Sequence, residues 1–408
     1  MTTAAEGCAL APKLRFPGFR DEWEWTALGE CLDYQQPTDY LVSATNYSDS
    51  YTVPVLTAGK TFILGYTNET NGVFSEGLPV IIFDDFTTAT QFVDFPFKAK
   101  SSAMKILLAR GEANIKFMYE LMQMIAYEVG THERHWISKF APMLVLIPKT
   151  EEQQKIADCL ASIDELITLE SQKLDHLKLY KKGLMQQLFL TEGETVPRLR
   201  FPEFRNTGEW LKRKLGSLGS FTGGGTPDKN NFSYWEGMNP WVSSSDISDD
   251  SIYEIKISRF ISDQAIQETV TKIVPENSIL LVSRVGVGKI AITRNKICTS
   301  QDFTNFTPDE ANLVFLAYGL KTMRDKFLSF NQGMAIKGFT KNDVSSLEVP
   351  LPVEPREQQK IADCLASIDE LITLESQRLD NLKTHKKGLV QQLFPAPDGF
   401  SAAQAGKT

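Results

Sequence analysis

Three short segments of this 408-residue chain combine residue types that could perform chemistry. The segment 132–135, His-Glu-Arg-His, could hold a metal ion through two imidazoles, but no third ligand accompanies it. The segment 286–289, Gly-Val-Gly-Lys, suggests a phosphate-binding loop, yet Ser283 stands where such a loop needs its first glycine. The segment 239–241, Asn-Pro-Trp, lacks the second proline of the motif that holds the target amine in adenine methyltransferases. We therefore predict no catalytic residue, no metal site and no cofactor bound by this chain.

The composition bounds the class of protein. Apolar residues make up 42% and charged residues 23%, which is typical of a soluble chain with a core, and the length predicts two or three domains. We expect no transmembrane helix, because no long apolar run occurs, and no secretory signal at the N-terminus. The five scattered cysteines are typical of a reduced, cytoplasmic protein. The net charge of −8, taken alone, disfavours a nucleic-acid partner.

The chain contains two internal repeats with different offsets. Residues 152–189 return as residues 357–394, and the two copies differ at only 5 of 38 positions. A shorter motif, Leu14–Arg20, returns as Leu199–Arg205. The blocks between these repeats show little resemblance to each other, so two near-identical frames hold two different inserts.

Each long repeat has the pattern of a coiled-coil helix. Apolar residues recur every 3.5 residues on average, which predicts a seam between packed helices. The predicted seam is Ile156, Leu160, Ile163, Ile167, Glu170, Leu174, Leu177, Lys181, Leu184 and Leu188 in the first copy, and Ile361, Leu365, Ile368, Ile372, Glu375, Leu379, Leu382, Lys386, Leu389 and Leu393 in the second.

The polar seam residues predict a register. If the copies pack antiparallel and Glu170 faces Lys386, then Lys181 faces Glu375, and buried pairs of this kind fix register. The alternative is that Glu170 and Lys181 lie at the solvent edge of the seam.

The order of elements predicts an α+β protein. Strand-like runs at 51–56, 78–83, 278–283 and 289–293, with helical spacing at 112–129 and 309–330, indicate two mixed α/β blocks. We expect these blocks to be joined by two long antiparallel coiled-coil helices with pseudo-two-fold symmetry. The predicted segments are a tail at 1–13, a globular domain at 14–150, a long helix at 151–190, a linker at 191–198, a second globular domain at 199–354, a second long helix at 355–394 and a tail at 395–408.

The combined pattern resembles the specificity subunit of type I restriction–modification enzymes. Both blocks end in a proline-containing run that leads into Glu-Gln-Gln-Lys-Ile-Ala, at 152–157 and 357–362. The first block also carries the segments 54–60 and 82–87. The landmarks of the second block are Gly224–Pro227, Tyr234–Gly237, Pro240–Ser243, Ser283–Lys289 and Thr299–Phe303.

This resemblance implies a division of labour. The two blocks would be target-recognition domains, each reading one half of a split site in double-stranded DNA. The long helices would set the spacer between the half-sites and dock two methyltransferase subunits, which would carry S-adenosylmethionine. Restriction subunits would be further partners in a cytoplasmic bacterial defence system. This chain itself would not be an enzyme.

Basic and polar windows indicate where DNA would lie. Lysine and arginine contact phosphates, while Arg, Asn, Gln, Ser and Thr can read base edges. Each candidate could instead be an ordinary solvated or turn residue. The predicted contacts are Lys60, Tyr66, Asn68, Lys98, Lys100, Ser101, Lys105, Arg134, His135 and Lys139 in the first domain, and Thr222, Gly224, Gly225, Thr226, Ser243, Ser244, Ser245, Arg284, Lys289, Lys337 and Lys341 in the second.

The acidic charge is concentrated in one region. Residues 14–93 carry 3 basic and 11 acidic side chains, which equals the whole net charge of −8. We therefore expect the isolated chain to bind DNA poorly and to gain affinity on assembly with its methyltransferase. Two other classes remain open: a coiled-coil scaffold without DNA recognition, and a self-contained methyltransferase or nuclease.

Overall fold

A computed structural model describes residues 11–57, 61–127, 134–330 and 338–395. Lys60, His132 and Lys337 lie outside the described residues. The chain forms two compact units: the first comprises residues 1–171 and 378–408, and the second comprises residues 172–377. The division falls within the long helices, so each unit contains one variable block and part of each long helix.

The first unit is a mixture of short strands and helices. A four-stranded antiparallel sheet has the order β2-β8-β5-β6, a three-stranded sheet has the order β4-β3-β7, and β1 pairs with β9. All five residues of β5 are buried, as its continuous apolar run predicts. The elements are β1 Glu24–Ala27, α1 Leu28–Cys31, β2 Leu32–Gln35, β3 Val53–Leu56, β4 Ile63–Thr67, β5 Val80–Asp84, β6 Thr90–Val93, β7 Lys98–Ala99, β8 Met104–Ala109, α2 Ile115–Gln123, β9 Leu144–Ile147 and the long helix α3 Thr150–Leu188.

The second unit has a different arrangement of strands. Two four-stranded sheets have the orders β11-β18-β15-β16 and β13-β12-β17-β14, and β10 pairs with β19. The elements are β10 Leu211–Lys214, β11 Gly219–Gly223, β12 Asn239–Val242, β13 Arg259–Ile261, α4 Asp263–Glu268, β14 Ile273–Val274, β15 Ser278–Leu281, β16 Ile290–Thr293, β17 Ile297–Thr299, β18 Thr304–Pro308, α5 Leu313–Thr322, α6 Arg324–Ser329, α7 Lys341–Ser345, β19 Glu348–Leu351 and the long helix α8 Pro355–Leu393. The expected α+β class with two long helices is therefore confirmed.

The short repeated motif fastens each block to a long helix. Arg15 binds both carboxylate oxygens of Glu152 at 2.7 Å, and Arg200 binds both oxygens of Glu357 at 2.8 and 2.7 Å. The residue before each arginine donates its backbone N–H to the end of a long helix, from Leu14 to the Gln392 carbonyl at 2.9 Å, and from residue 199 to the carbonyl of residue 187 at 3.0 Å. A bidentate arginine–carboxylate pair fixes both distance and orientation.

A matching trio of aromatic rings packs beside each fastening. In the first unit the ring centroids of Trp23, Phe117 and Phe394 lie 5.9, 6.3 and 5.1 Å apart. The equivalent trio of the second unit is residues 210, 315 and 189, with separations of 5.6, 6.4 and 5.1 Å. The two variable blocks thus meet their helices through the same local packing.

The long helices pack antiparallel within each unit, but the predicted register is wrong. In the first unit Lys386 pairs with Asp164 at 2.7 Å and Glu170 pairs with Arg378 at 3.1 Å. The expected pair of Glu170 with Lys386 is therefore replaced by a register shifted by about one heptad. Such a shift again places seam positions opposite seam positions, so the 3.5-residue period alone does not distinguish the two registers.

The same correction holds in the second unit. Lys181 pairs with Asp369 at 2.5 Å, and Glu375 accepts a hydrogen bond from Lys173 at 2.6 Å. Both predicted polar seam residues of the first copy are buried, with Glu170 8% and Lys181 6% exposed, so the solvent-edge alternative is wrong as well. In each unit the seam lysine pairs with an aspartate that comes directly after a seam isoleucine, Asp164 or Asp369. This aspartate supplies the counter-charge that the predicted register assigned to a glutamate.

The predicted seam positions of the long helices are shielded from solvent. Every predicted seam residue of both copies is buried or half-buried. None of the helices in the described part of the chain is both long enough and apolar enough to span a membrane.

Candidate nucleic-acid interface

In the second unit the hairpin β15–β16 presents an arginine at its tip. Arg284 and Val285 are exposed, and Val285 has a φ of 26° beside Gly286, whose φ of 96° favours glycine. The backbone N–H of Arg284 donates to the Asp302 carbonyl at 3.1 Å, which ties the tip to the segment after β17. The turn that suggested a phosphate loop therefore places a guanidinium in solvent.

A second arginine is held in a fixed orientation next to the predicted serine cluster. Arg259 donates to the Ser243 hydroxyl at 2.8 Å, pairs with Asp246, and its guanidinium carbon lies 4.6 Å from the centre of the Trp241 ring. Burial alone would raise the pKa of Asp246, but hydrogen bonds from Ser243 and the charge of Arg259 lower it below its usual range. The carboxylate thus stays ionised and keeps the guanidinium in place.

The predicted glycine segment lies against the same cluster. Gly225 accepts a hydrogen bond from the Trp241 indole at 2.9 Å, and Thr226 hydrogen bonds with Gln301. A Cβ atom on Gly224 would lie 1.8 Å from the Ser300 carbonyl oxygen, so the backbones approach too closely for any side chain. The backbone N–H of Ser300 in turn donates to the Val242 carbonyl at 2.9 Å, next to the serines.

These contacts join most of the candidates of the second unit into one surface. Thr226, Ser243, Ser245 and Arg284 lie along it, and all four are exposed or half-buried. Ser244 is buried within it. The surface contains the exposed guanidinium of Arg284, the fixed guanidinium of Arg259 and several hydroxyls, which are groups that contact phosphates and base edges.

Three other candidates of the second unit have different surroundings. Lys289 donates to the Ile247 carbonyl at 3.1 Å and pairs with Asp249 at 3.4 Å, so it ties two loops together. Lys341 is exposed at the start of α7, with its ammonium 6.0 Å from the centre of the Phe221 ring. Thr222 is half-buried within β11.

In the first unit a buried aspartate organises the candidates. Asp85 pairs with Lys105 at 3.4 Å, and its carbonyl accepts from the backbone N–H of His135 at 3.0 Å. The backbone N–H of Asp85 donates to the Ala103 carbonyl, and the N–H of Ala103 donates to the Ser101 hydroxyl at 3.1 Å. The predicted segments around residues 101 and 135 therefore come together.

Three candidates of the first unit have side chains that are buried inside the unit. Lys98 is buried and donates to the Asn71 carbonyl at 2.6 Å and to Glu69 at 3.0 Å. Lys105 and His135 are also fully buried. Burial of these three side chains argues against direct DNA contact by them, because a phosphate could not reach them without local opening.

The remaining first-unit candidates are accessible. Asn68, Ser101, Arg134 and Lys139 are exposed, whereas Tyr66 is half-buried. Lys100 is half-buried, with its ammonium 5.8 Å from the centre of the Tyr47 ring. The accessible set is smaller and less charged than the sequence windows suggested.

The sequence did not single out Arg259 or Gln301. Arg259 stands in the run Ile-Ser-Arg-Phe, which carries no local signal, and it becomes notable only because β13 pairs with β12 and brings it to Trp241. Gln301 belongs to a landmark segment and could have been chosen for its amide. Both side chains belong to the surface that contains Thr226 and Ser243.

Comparison with known proteins gives a consistent set of relatives. A family model described as the type I restriction modification DNA specificity domain matches residues 20–179 and 207–384. The EcoR124I/EcoR124II specificity subunit of Escherichia coli is 35% identical over 371 residues, which cover 86% of this chain and 87% of that protein. The MjaIX specificity subunit of Methanocaldococcus jannaschii is 32% identical over 168 residues, covering 40% of this chain and 39% of that protein.

Solved structures share the fold at low sequence identity. A type I restriction–modification S subunit from M. genitalium has a TM-score of 0.64 at 14% identity, and the match covers 94% of this chain and 99% of that one. A chain from a study of complex assembly and conformational transition in a type I system has a TM-score of 0.55 at 17% identity, covering 95% of this chain and 100% of that one. At these identities the likeness concerns the fold.

Proposed function

From its membership of the type I restriction modification DNA specificity family, we propose that this chain gives sequence specificity to a multi-subunit methyltransferase or restriction enzyme. Specificity subunits are DNA-recognition components and are not themselves catalytic. Each variable block reads one half of a bipartite site in double-stranded DNA, and the long helices set the spacer. The observation that carries the proposal is the coexistence of two unlike blocks in two like frames, each fastened by the same arginine–glutamate pair.

The second unit supplies the better-defined DNA surface. Arg284 is exposed at a hairpin tip, and Arg259 is fixed by a carboxylate and a ring. A guanidinium held in one orientation loses little freedom on binding, which favours specific readout over a loose phosphate contact. In the first unit the exposed candidates are Asn68, Ser101, Arg134 and Lys139.

The long helices offer a repeated docking surface for methyltransferase subunits. Leu166 and Leu169 are exposed on α3 in the first unit, and Leu371 and Leu374 are exposed at the equivalent positions of α8 in the second. Solvent-exposed leucines on the surface of a helix are a common feature of protein interfaces. One such pair in each unit fits a partner that binds twice.

The proposal extends to cofactor, partners and place of action. Two methyltransferase subunits carry S-adenosylmethionine, and restriction subunits join the same assembly. The four cysteines among the described residues are free thiols, which suits the reducing cytoplasm. The acidic total charge favours DNA binding by the assembly over binding by this chain alone.

Methylome sequencing of cells that express this chain with its methyltransferase tests the function. A split methylated motif with a fixed spacer is expected. Arg284→Ala should weaken recognition of one half-site by about tenfold and leave the other half-site unchanged. Arg294→Ala is the matched control, because Arg294 is also exposed but follows the opposite end of the same hairpin.

Two results would contradict the proposal. Methyl transfer by the chain without its partner would make it an enzyme in its own right. A continuous motif, or a motif unaffected by exchange of a variable block, would remove the role of the blocks as separate readers. Lengthening both long helices together should lengthen the spacer and preserve both half-sites, which tests the helices as a ruler.

A further inference from the structure

The two long repeats differ at only five positions, and three of these differences fall on exposed residues of one stretch. His176, Leu179 and Tyr180 of α3 correspond to Asn381, Thr384 and His385 of α8, and all six are exposed. The other two differences are conservative exchanges of lysine for arginine and methionine for valine. The copies are otherwise identical, so the change from a polar to an apolar stretch is confined to one surface.

The apolar residues of this stretch, Leu179 and Tyr180 of α3, are exposed to solvent. Leu179 is 66% exposed and Tyr180 is 59% exposed, and both lie in the second unit. Their counterparts in the first unit are a threonine and a histidine. Exposing a leucine and a tyrosine side by side costs solubility, whereas the other copy shows that polar residues are accommodated at the same place in the helix.

Leu179 and Tyr180 lie at the same level as a docking leucine. In the second unit Lys181 pairs with Asp369, so the preceding residues of α3 lie opposite the region of Leu371. Tyr180 and Leu371 each come directly before a seam residue, and equivalent heptad positions flank the same side of an antiparallel seam. The two residues therefore extend the exposed leucine pair of α8.

The first unit has the corresponding surface without this extension. Lys386 pairs with Asp164, which brings the region of His385 level with Leu166. His385 and Leu166 also each precede a seam residue. This docking surface therefore combines the leucine pair 166 and 169 with Thr384 and His385, and it is the more polar of the two.

We propose that the two docking surfaces bind the same methyltransferase subunit with unequal affinity, and that the surface of the second unit, with Leu179 and Tyr180, is occupied first. The inference rests on the proposed function. Tyrosine is among the residues that contribute most at interfaces, since its ring buries a large area with little loss of freedom. Assembly then passes through a defined complex with one methyltransferase subunit.

The occupant follows from the repetition of the leucine pair. Leu166 with Leu169, and Leu371 with Leu374, occur once in each unit, as a partner present in two copies requires. The apolar extension is continuous with one of these pairs, so the partner that covers the leucines also covers Leu179 and Tyr180. A separate partner would need a surface of its own.

Native mass spectrometry of the full chain titrated with its methyltransferase tests the proposal. The complex with one methyltransferase should accumulate first, with the two dissociation constants differing roughly tenfold or more, beyond the statistical difference between equal sites. The double variant Leu179→Thr, Tyr180→His should weaken the first step to the level of the second. The reverse variant Thr384→Leu, His385→Tyr should strengthen the second step to the level of the first.

The exchanges use residues that the other long helix carries at the equivalent positions, so folding is preserved. Equal binding steps in the unaltered chain, or unequal steps that neither variant changes, would overturn the inference while leaving the proposed function intact. A variant that alters only self-association of the chain would assign the patch to a second copy and also overturn it. Absence of any methyltransferase binding would instead overturn the proposed function.

Discussion

The two units surround the equivalent lysine–aspartate pairs of the long helices with different residues. In the first unit Lys386 and Asp164 are joined by Lys116 and Glu120 of α2, and the four groups make contacts of 2.6–2.8 Å. This cluster contains two ammonium groups and two carboxylates, so its charges balance. Burial alone would lower the pKa of Lys386, but its hydrogen bonds to both carboxylates raise it above the ordinary value.

The equivalent cluster of the second unit is not balanced. Lys181 and Asp369 are joined by the hydroxyl of Tyr318, which takes the place of the glutamate in α2. The ammonium group of Lys321 is buried without a hydrogen-bond partner among the described residues. Burial, together with the nearby charge of Lys181, lowers the pKa of Lys321 to about 8.

The difference separates the tasks of the repeat and of the variable block. The repeat supplies an equivalent lysine and aspartate to both units, half-buried in the first and buried in the second, and the block supplies the residues that complete the cluster. The helix of a variable block that contacts the cluster, α2 or α5, can therefore differ in sequence while the long helices stay the same. The comparison also indicates that the second unit depends more on its one ion pair, since no second cation among the described residues forms an ion pair with Asp369.

The largest expected effect comes from removal of the two equivalent lysines. Lys181→Met should destabilise the second unit by about 3 kcal/mol or more, because Asp369 would be left as a buried carboxylate without an ion-paired cation. Lys386→Met should cost the first unit only about 1–2 kcal/mol, because Lys116 still contacts both carboxylates. Hydrogen exchange of α5 and α2 in the full chain measures the two losses separately.

Equal losses would contradict the comparison. They would mean that the lysines act mainly through their apolar stems, which methionine retains. The double variant Lys181→Met, Asp369→Leu is the control, since it removes both charges and should restore most of the stability lost on removing one.

A second prediction uses the unpaired ammonium of the second unit. Lys321→Met should raise the stability of that unit by about 1 kcal/mol at neutral pH, because it removes a charge that burial disfavours. Lys116→Met should do the opposite in the first unit, where the ammonium is paired. Thermal unfolding followed by the hydrogen exchange of α5 and α2 distinguishes the two.

The pH dependence of this prediction has a definite sign. Below pH 8 Lys321 is protonated in both folded and unfolded chains, so its penalty is constant. Between pH 8 and the ordinary pKa of 10.5 the unfolded chain binds more protons, so the stability of the unaltered protein rises with pH. The advantage of Lys321→Met should therefore shrink over this range, and an advantage independent of pH would show that the ammonium is solvated.

The long helices and their pairing were within reach of the sequence, but the register was not. A 3.5-residue period and a near-identical repeat predict an antiparallel seam, and shifting that seam by a heptad again places seam positions opposite seam positions. In the observed register Asp164 and Asp369, which lie beside the seam, pair with Lys386 and Lys181, and Lys116 of α2 and Tyr318 of α5 add further contacts. Tertiary contacts of this kind leave no periodic signal.

The candidate DNA surface was predictable in part for the same reason. Sequence windows chose Arg284 and the serines after β12, which lie on one surface of the second unit. They also chose Lys98 and Lys105, which are buried and pair with Glu69 and Asp85, residues that follow the strands β4 and β5. Charge in a window indicates potential contact, but the fold decides which lysines keep their charge for a ligand and which neutralise a neighbour.

The smallest expected difference in stability concerns the N-terminal caps of α2 and α5, the helices that contribute residues to the two lysine–aspartate clusters. Asn114 caps α2 by accepting from the Phe117 N–H at 2.9 Å, and Asn312 caps α5 by accepting from the Phe315 N–H at 2.9 Å. The backbone N–H of each asparagine also donates to a glutamine at the start of a long helix, and its side-chain amide donates to the next glutamine, at 2.9 and 2.8 Å in the first unit and at 3.0 and 2.7 Å in the second. Asn114→Ala and Asn312→Ala should therefore each cost about 1–2 kcal/mol, with a difference of less than about 0.5 kcal/mol in hydrogen exchange. A larger difference would mean that the unlike lysine–aspartate clusters affect the stability of the caps through α2 and α5. The long helices and the variable blocks would then not be energetically independent.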